Sequence, residues 1–168
     1  DVAKMLYRLV LMCGVFGRSD AGRRFPVAAR EWNALCDPLA SKLVFDADPP
    51  ALISVGLDVT TQCKMPAETV RERFSDIGGP MQRVLDFAEV WFTQRDQITF
   101  HDPLAAALIF EPDLCELATT TIKAEPGPGD LAGLTHAAGD TGPHHIAVAV
   151  NPDPFFDHYF QTVDAHRP

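Results

Sequence analysis

The sequence predicts an α/β fold: an open, mostly parallel sheet flanked by helices, with antiparallel strands toward its C-terminal end. Three observations predict it. Two short apolar runs, residues 7–13 and 51–57, flank a helical pattern, which is the βαβ order of a parallel pair. Two amphipathic stripes follow within residues 66–94. Beyond Cys115, Thr- and Val-rich runs alternate with Pro/Gly turns, as in antiparallel strands. The 168 residues suffice for one domain, residues 1–168, with its own core.

Composition narrows the classes of function. The chain is 46% hydrophobic and 22% charged, the profile of a soluble globular protein. A net charge of -9 offers nothing to a phosphate backbone, so nucleic acid is not expected as a partner. No apolar run approaches the roughly 20 residues of a bilayer span, and no secretory signal is visible. No membrane partner is expected either. The four cysteines, Cys13, Cys36, Cys63 and Cys115, are widely spaced and form no CxxC pair. They read as reduced thiols of a cytoplasmic protein, not as a disulfide frame or zinc site. The sequence opens on Asp1 without an initiator methionine, so a processed product or part of something longer is expected.

Taken in order, residues 7–13 are mostly apolar, end at Gly14 and predict a buried parallel strand. A loop rich in Gly and Arg, residues 15–30, follows. Loops leaving strand C-termini are where open α/β sheets place their ligands. Asp37-Pro38 opens a short helix with Leu39, Leu43 and Val44 on its apolar face. Pro49-Pro50 breaks the chain before the second strand, residues 51–57. Residues 58–63 form a polar, Thr-rich loop.

Val70, Phe74 and Ile77 mark a helix over residues 66–77, ended by Gly78-Gly79. Met81, Val84, Leu85, Ala88, Trp91 and Phe92 mark another over residues 80–94, and its stripe is expected to be core. Then comes His101-Asp102-Pro103 before an apolar helical run. Asp is a good N-cap and Pro a good first helical residue, so the pair is placed at a helix N-terminus. A carboxylate there could hold a metal ion, and the neighbouring imidazole could move a proton. The plain alternative is that Asp102 is only a cap. Residues 115–123, 131–137 and 144–150 predict three strands, the last two joined by a turn at residues 139–142. Asp153-Pro154 opens a final helix with Phe155, Phe156, Tyr159, Phe160 and Val163 on one face.

Several of these pieces, in this order, resemble the nucleoside hydrolases, the inosine-uridine-preferring N-ribohydrolase family. The strand ending at Gly14 is similar to that family's strand ending in Met-Gly-Gly. Glu31-Trp32-Asn33 with Cys36-Asp37-Pro38 is similar to its Ala-Glu-Phe-Asn and Asp-Pro segment. The segment from Val55 to Thr60 resembles its following strand and loop. Phe100-His101-Asp102-Pro103 resembles its His-Asp-Pro helix start. The resemblance runs over nearly the whole chain and corresponds to the family's C-terminal half.

The resemblance implies hydrolysis of the N-glycosidic bond of a ribonucleoside, giving ribose and free base. It implies that His101 is the acid for the leaving base. It implies that Asp102 is a ligand of a Ca²⁺ ion, and that Glu31 and Asn33 hydrogen-bond ribose hydroxyls while Met12 lines the sugar pocket. Each has a plain structural alternative: a half-buried histidine, turn-forming loop residues, a core methionine. The family builds most of its metal site on an Asp-x-Asp-x-x-x-Asp-Asp motif near its N-terminus, and nothing here matches that motif. Ca²⁺ is therefore expected only if another chain or segment supplies those aspartates. Without that half, the first strand and the helix stripes lack cover. A homo-oligomer, or a complex with a chain supplying the N-terminal half, is expected. Two alternatives stand beside this enzyme: a non-catalytic relative, binding or interacting without the metal site, and an unrelated acidic α/β domain.

Overall fold

The computed structural model describes residues 5–17, 29–47 and 49–166. Most of the Gly- and Arg-rich loop, including Gly22, Arg23 and Arg24, lies outside the described residues. The first strand is β1 (Leu9–Leu11), shorter than the apolar run suggests. Next come helices α1 (Trp32–Cys36) and α2 (Pro38–Asp46), then strand β2 (Leu52–Ser54). A short helix, α3 (Leu57–Thr60), stands where a loop is expected. Strand β3 (Lys64–Pro66), helices α4 (Ala67–Ile77) and α5 (Pro80–Phe92), and strand β4 (Gln97–Thr99) follow. Helix α6 (His101–Ala107) leads through a 3-10 turn to β5 (Cys115–Ala124), β6 (Thr135–Ala138) and β7 (His144–Val150). Helix α7 (Pro152–Ala165) closes the described chain.

The main sheet has the order β1-β2-β7-β5-β6. Strands β1, β2 and β7 run parallel, joined by the βαβ unit that the sequence predicts, while β5 runs antiparallel to both β7 and β6. Of the two closing strands expected in an antiparallel edge, only β6 lies at the edge. β7 takes the centre, and Ile146 and Ala147 are buried on its two faces. Strands β3 and β4 form a separate antiparallel pair with Lys64 opposite Thr99. Short sequence runs carrying no alternation gave no sign of it.

Each sheet face carries its own core. On one, Ile53, Val55 and Ala147 pack with Val70, Phe74, Leu85, Leu104 and Phe155 from the helices. On the other, Leu52 and Ile146 meet Phe45 of α2 and Ile122 of β5. The aromatic face of α7 joins the first core as predicted. Phe100 stands edge-on to Phe156 and Tyr159, with ring centroids 5.2 and 5.3 Å away. Such pairs are each worth about 0.5–1.5 kcal/mol beyond the area they bury.

Three local expectations are corrected. Asp37 caps α2 as expected, accepting the Ala40 N–H at 2.9 Å. Asp153 does not cap α7, because Asn151 does so two residues earlier, accepting the Asp153 N–H at 3.2 Å with Pro152 next in line. Asp102 is not a cap either. Phe100 holds the N-cap position, its own N–H bound to the Cys63 carbonyl at 2.8 Å beside the β3–β4 pair. That anchor starts α6 at His101, so Asp102 lies within the first turn and Pro103 is its third residue. Along α5, Met81, Leu85 and Ala88 are buried, but Val84 is 43% and Trp91 52% exposed. Phe92 packs against the core partly buried, so Val84 and Trp91 are the two members of the expected stripe that face outward.

Candidate active site

The polar residues gather where β1 and β2 end. There the chain leaving β1 presses against the chain leaving β2. Leu57 N–H donates to the Gly14 carbonyl at 3.0 Å, and a Cβ on Gly56 would stand 2.8 Å from that same oxygen. Gly14 itself has φ +93°, a conformation that side chains disfavour. Gly56 is thus required by how closely the two turns approach, and Gly14 by its own backbone conformation.

Two buried carboxylates hold this junction. Glu31, 2% exposed, is the N-cap of α1. Its oxygens accept the N–H groups of Gly14 (3.2 Å), Asn33 (2.7 Å) and Ala34 (3.0 Å). Asn33 in turn donates from Nδ2 to the Met12 carbonyl at 2.9 Å, so Met12, Glu31 and Asn33 form one connected unit. Asp58, 1% exposed, accepts the N–H of Phe16 at 2.6 Å and that of Gly17 at 2.9 Å. Thr135 of β6 also takes part, its hydroxyl 2.9 Å from the Val15 N–H.

His101 enters from the other side. It opens α6, half-buried, with Nδ1 2.8 Å from the hydroxyl of Thr60, a residue with no exposed surface. Burial holds its imidazole below the ordinary value, against the opposing pull of the Asp102 and Glu31 charges. Asp102 is exposed beside it, in the first turn of α6.

An open cleft of ≈ 430 Å³ runs beside His101, walled by Val84, Phe87 and Trp91 of α5 and by Ile98 and Thr99 of β4. A smaller hollow of ≈ 230 Å³ is lined by Met12, Asn33 and residues of α2. A larger hollow among the described residues, ≈ 830 Å³ between Pro66 and Asp96, contains none of the predicted site residues. Arg71, which lines it, is already paired with Glu89 at 2.7 Å. Chemistry is better served by the cleft that carries a titratable ring.

Asp58 and Thr60 are the site residues that sequence reasoning missed. Asp58 had a signal, a carboxylate directly after the mostly apolar run of residues 51–57, where the sheet's ligand rim lies; Thr60 had none of its own. The donors of a divalent-ion cage are not assembled here. Among the described residues, no group of three or more His, Cys, Asp or Glu side chains could hold a metal ion.

Comparison with known proteins identifies the family and the fold. A family model described as inosine-uridine preferring nucleoside hydrolase matches residues 1–157. The pyrimidine-specific ribonucleoside hydrolase RihA of Citrobacter koseri is 33% identical over 146 residues, which are 80% of this chain and 44% of that protein. RihA of Klebsiella pneumoniae is 28% identical over 164 residues, 89% of this chain and 50% of that one. Among solved structures, a purine-preferring ribonucleoside hydrolase from Gardnerella vaginalis superposes with a TM-score of 0.73 at 21% identity, covering 94% of this chain and 52% of that chain. An inosine-uridine preferring nucleoside hydrolase from Bacillus anthracis gives a TM-score of 0.66 at 26% identity, covering 94% and 51%. The chain spans about half the length of the curated relatives it matches.

Proposed function

Because this chain belongs to the inosine-uridine preferring nucleoside hydrolase family, we propose that it carries part of a site that hydrolyses the N-glycosidic bond of ribonucleosides. One observation supports this most directly: His101 is fixed by Thr60 at the edge of an open cleft. In this reading the bond between C1′ and the base nitrogen breaks with its electron pair leaving on the base. His101 answers that charge with its ring proton. The sugar passes through an oxocarbenium-like state, and water supplies the hydroxyl that completes ribose while its other proton restores the one His101 gave to the base. Asn33 and Met12 face the sugar, and Glu31 sets their geometry.

The family resemblance calls for a divalent ion, Ca²⁺, with Asp102 as one ligand. The described residues do not fit such an ion by themselves, since one exposed carboxylate falls far short of the roughly six to eight oxygens Ca²⁺ takes. The remaining ligands would come from another segment or from a partner chain supplying the N-terminal half, either directly or within a homo-oligomer. The four free thiols support a cytoplasmic setting for this assembly.

The test compares the chain alone with the chain joined to an N-terminal half of a relative, each given Ca²⁺ and a panel of nucleosides. Released reducing sugar is measured. Turnover is expected only in the joined protein, and His101→Gln should lower it by about 10²–10⁴-fold. A folded, joined protein without turnover would overturn the hydrolase reading and leave a non-catalytic nucleoside-hydrolase-like binding protein.

A further inference from the structure

The hydrogen bond between Thr60 and His101 bears on a question that the hydrolase reading raises: which ring nitrogen carries the proton. Thr60 ends α3, and His101 begins α6, 41 residues later. Their side chains meet at 2.8 Å, Oγ1 to Nδ1. A hydroxyl has one donor and two acceptor sites, and a neutral imidazole has one donor and one acceptor. Two arrangements therefore fit the distance.

They are not equivalent. Thr60 is fully buried, and its hydroxyl makes no other hydrogen bond among the described residues. Its neighbour Thr61 turns its hydroxyl back onto the Leu57 carbonyl at 2.7 Å, but Thr60 does not bond its own helix this way. If Nδ1–H donated to Thr60, the threonine's O–H would be stranded away from water, which is costly for a buried donor. If Thr60 donates to Nδ1, the O–H is satisfied and nothing is stranded. The other nitrogen, Nε2, has no hydrogen-bond partner among the described residues and is not sealed from solvent.

We infer that Thr60 is a positioning residue for His101: its buried hydroxyl donates to Nδ1, so the neutral ring carries its proton on Nε2, the nitrogen left open. The inference about the ring stands on geometry, and its use in catalysis rests on the hydrolase reading above. In that use, Nε2–H donates a hydrogen bond to the base nitrogen that receives the electron pair of the breaking bond. With the proton on Nδ1, Nε2 would instead present a lone pair to a developing negative charge and repel it.

The test is a long-range proton–nitrogen correlation spectrum of the ¹⁵N-histidine-labelled chain, recorded at a pH above the ordinary imidazole range. His101→Gln identifies the His101 signals among the six histidines. The wild type and Thr60→Ser are expected to show the Nε2–H pattern. Thr60→Val, equal in shape but lacking the hydroxyl, is expected to shift toward a mixture of the two forms. An Nδ1–H pattern in the wild type, or an unchanged pattern in folded Thr60→Val, overturns the inference. Should Thr60→Val not fold, the wild-type pattern alone decides. The spectrum requires no substrate. If the chain joined to an N-terminal half is inactive while the Nε2–H pattern holds, that counts against the hydrolase reading only; if the joined protein is active and the pattern is Nδ1–H, that counts against the role of Thr60 only.

Discussion

The carboxylate of Glu31 accepts the N–H of Gly14 at 3.2 Å, so one buried side chain ties the end of β1 to the start of α1. The same carboxylate also accepts from Asn33 and Ala34. A carboxylate offers about four acceptor sites, and three N–H groups already occupy this one. Glu31 therefore acts first by placing Gly14 and Asn33, with little acceptor capacity left for a sugar hydroxyl.

It follows that Glu31→Gln destabilises the fold as well as any site. The amide keeps one acceptor oxygen and turns an NH₂ toward backbone donors. Hydrogen bonds to charged groups are worth about 1.5–3 kcal/mol, so a loss of about 2 kcal/mol is expected in urea denaturation. A change within about 0.5 kcal/mol would place Glu31 among ordinary surface positions and contradict this role.

Asp58 makes a matching clamp on the other turn, and its effect should be local. Its two oxygens hold the Phe16 and Gly17 amides. In Asp58→Asn one of these amides loses its charged partner. Loss of about 1.5–3 kcal/mol locally speeds exchange of these amides by about tenfold or more, while β7 amides stay protected. Hydrogen exchange followed by NMR checks this. Equal acceleration everywhere would show global destabilisation instead.

The thiols divide sharply. Burial pushes Cys63 and Cys115 up to about 12, and burial beside Glu31 does the same to Cys13. Cys36 is exposed. A disulfide reagent at mildly alkaline pH should therefore label Cys36 rapidly and the other three only on unfolding, as read by mass spectrometry. The folded state keeps three protons that the unfolded chain gives up. Stability should thus fall as pH rises from the ordinary 9.0 toward about 12.

Periodicity exposed much of this fold in the sequence. The βαβ unit, helices α4 and α5 and the aromatic face of α7 each repeat an apolar residue often enough to be seen. The β3–β4 pair did not, because strands of three residues hold no alternation to detect. The site was legible wherever a residue type implied chemistry on its own, as with His101 and Glu31. Thr60 was not legible, since a threonine acquires its role only from the ring that the fold brings to 2.8 Å. The Asp102 cap failed for the same reason. A bond from Phe100 to Cys63, far away in sequence, accompanies a helix start two residues earlier, with the N-cap at Phe100 and not at Asp102.

Helix α5 offers the last test, because its sequence stripe and its buried face differ. Leu85 is 5% exposed and packs into the core, whereas Phe87 is 80% and Val90 72% exposed on the opposite side. Leu85→Ala removes buried methyl groups and leaves a cavity, at a cost of about 2–5 kcal/mol. Phe87→Ser and Val90→Ser remove only solvated surface and should change stability by no more than about 0.5 kcal/mol. Urea denaturation of the three variants separates the faces. Equal losses at all three positions would mean that Phe87 and Val90 are covered in solution, which is what a chain docked against α5 would produce. Dilution then discriminates: a face covered by a second copy is uncovered as concentration falls, and the cost of Phe87→Ser falls with it.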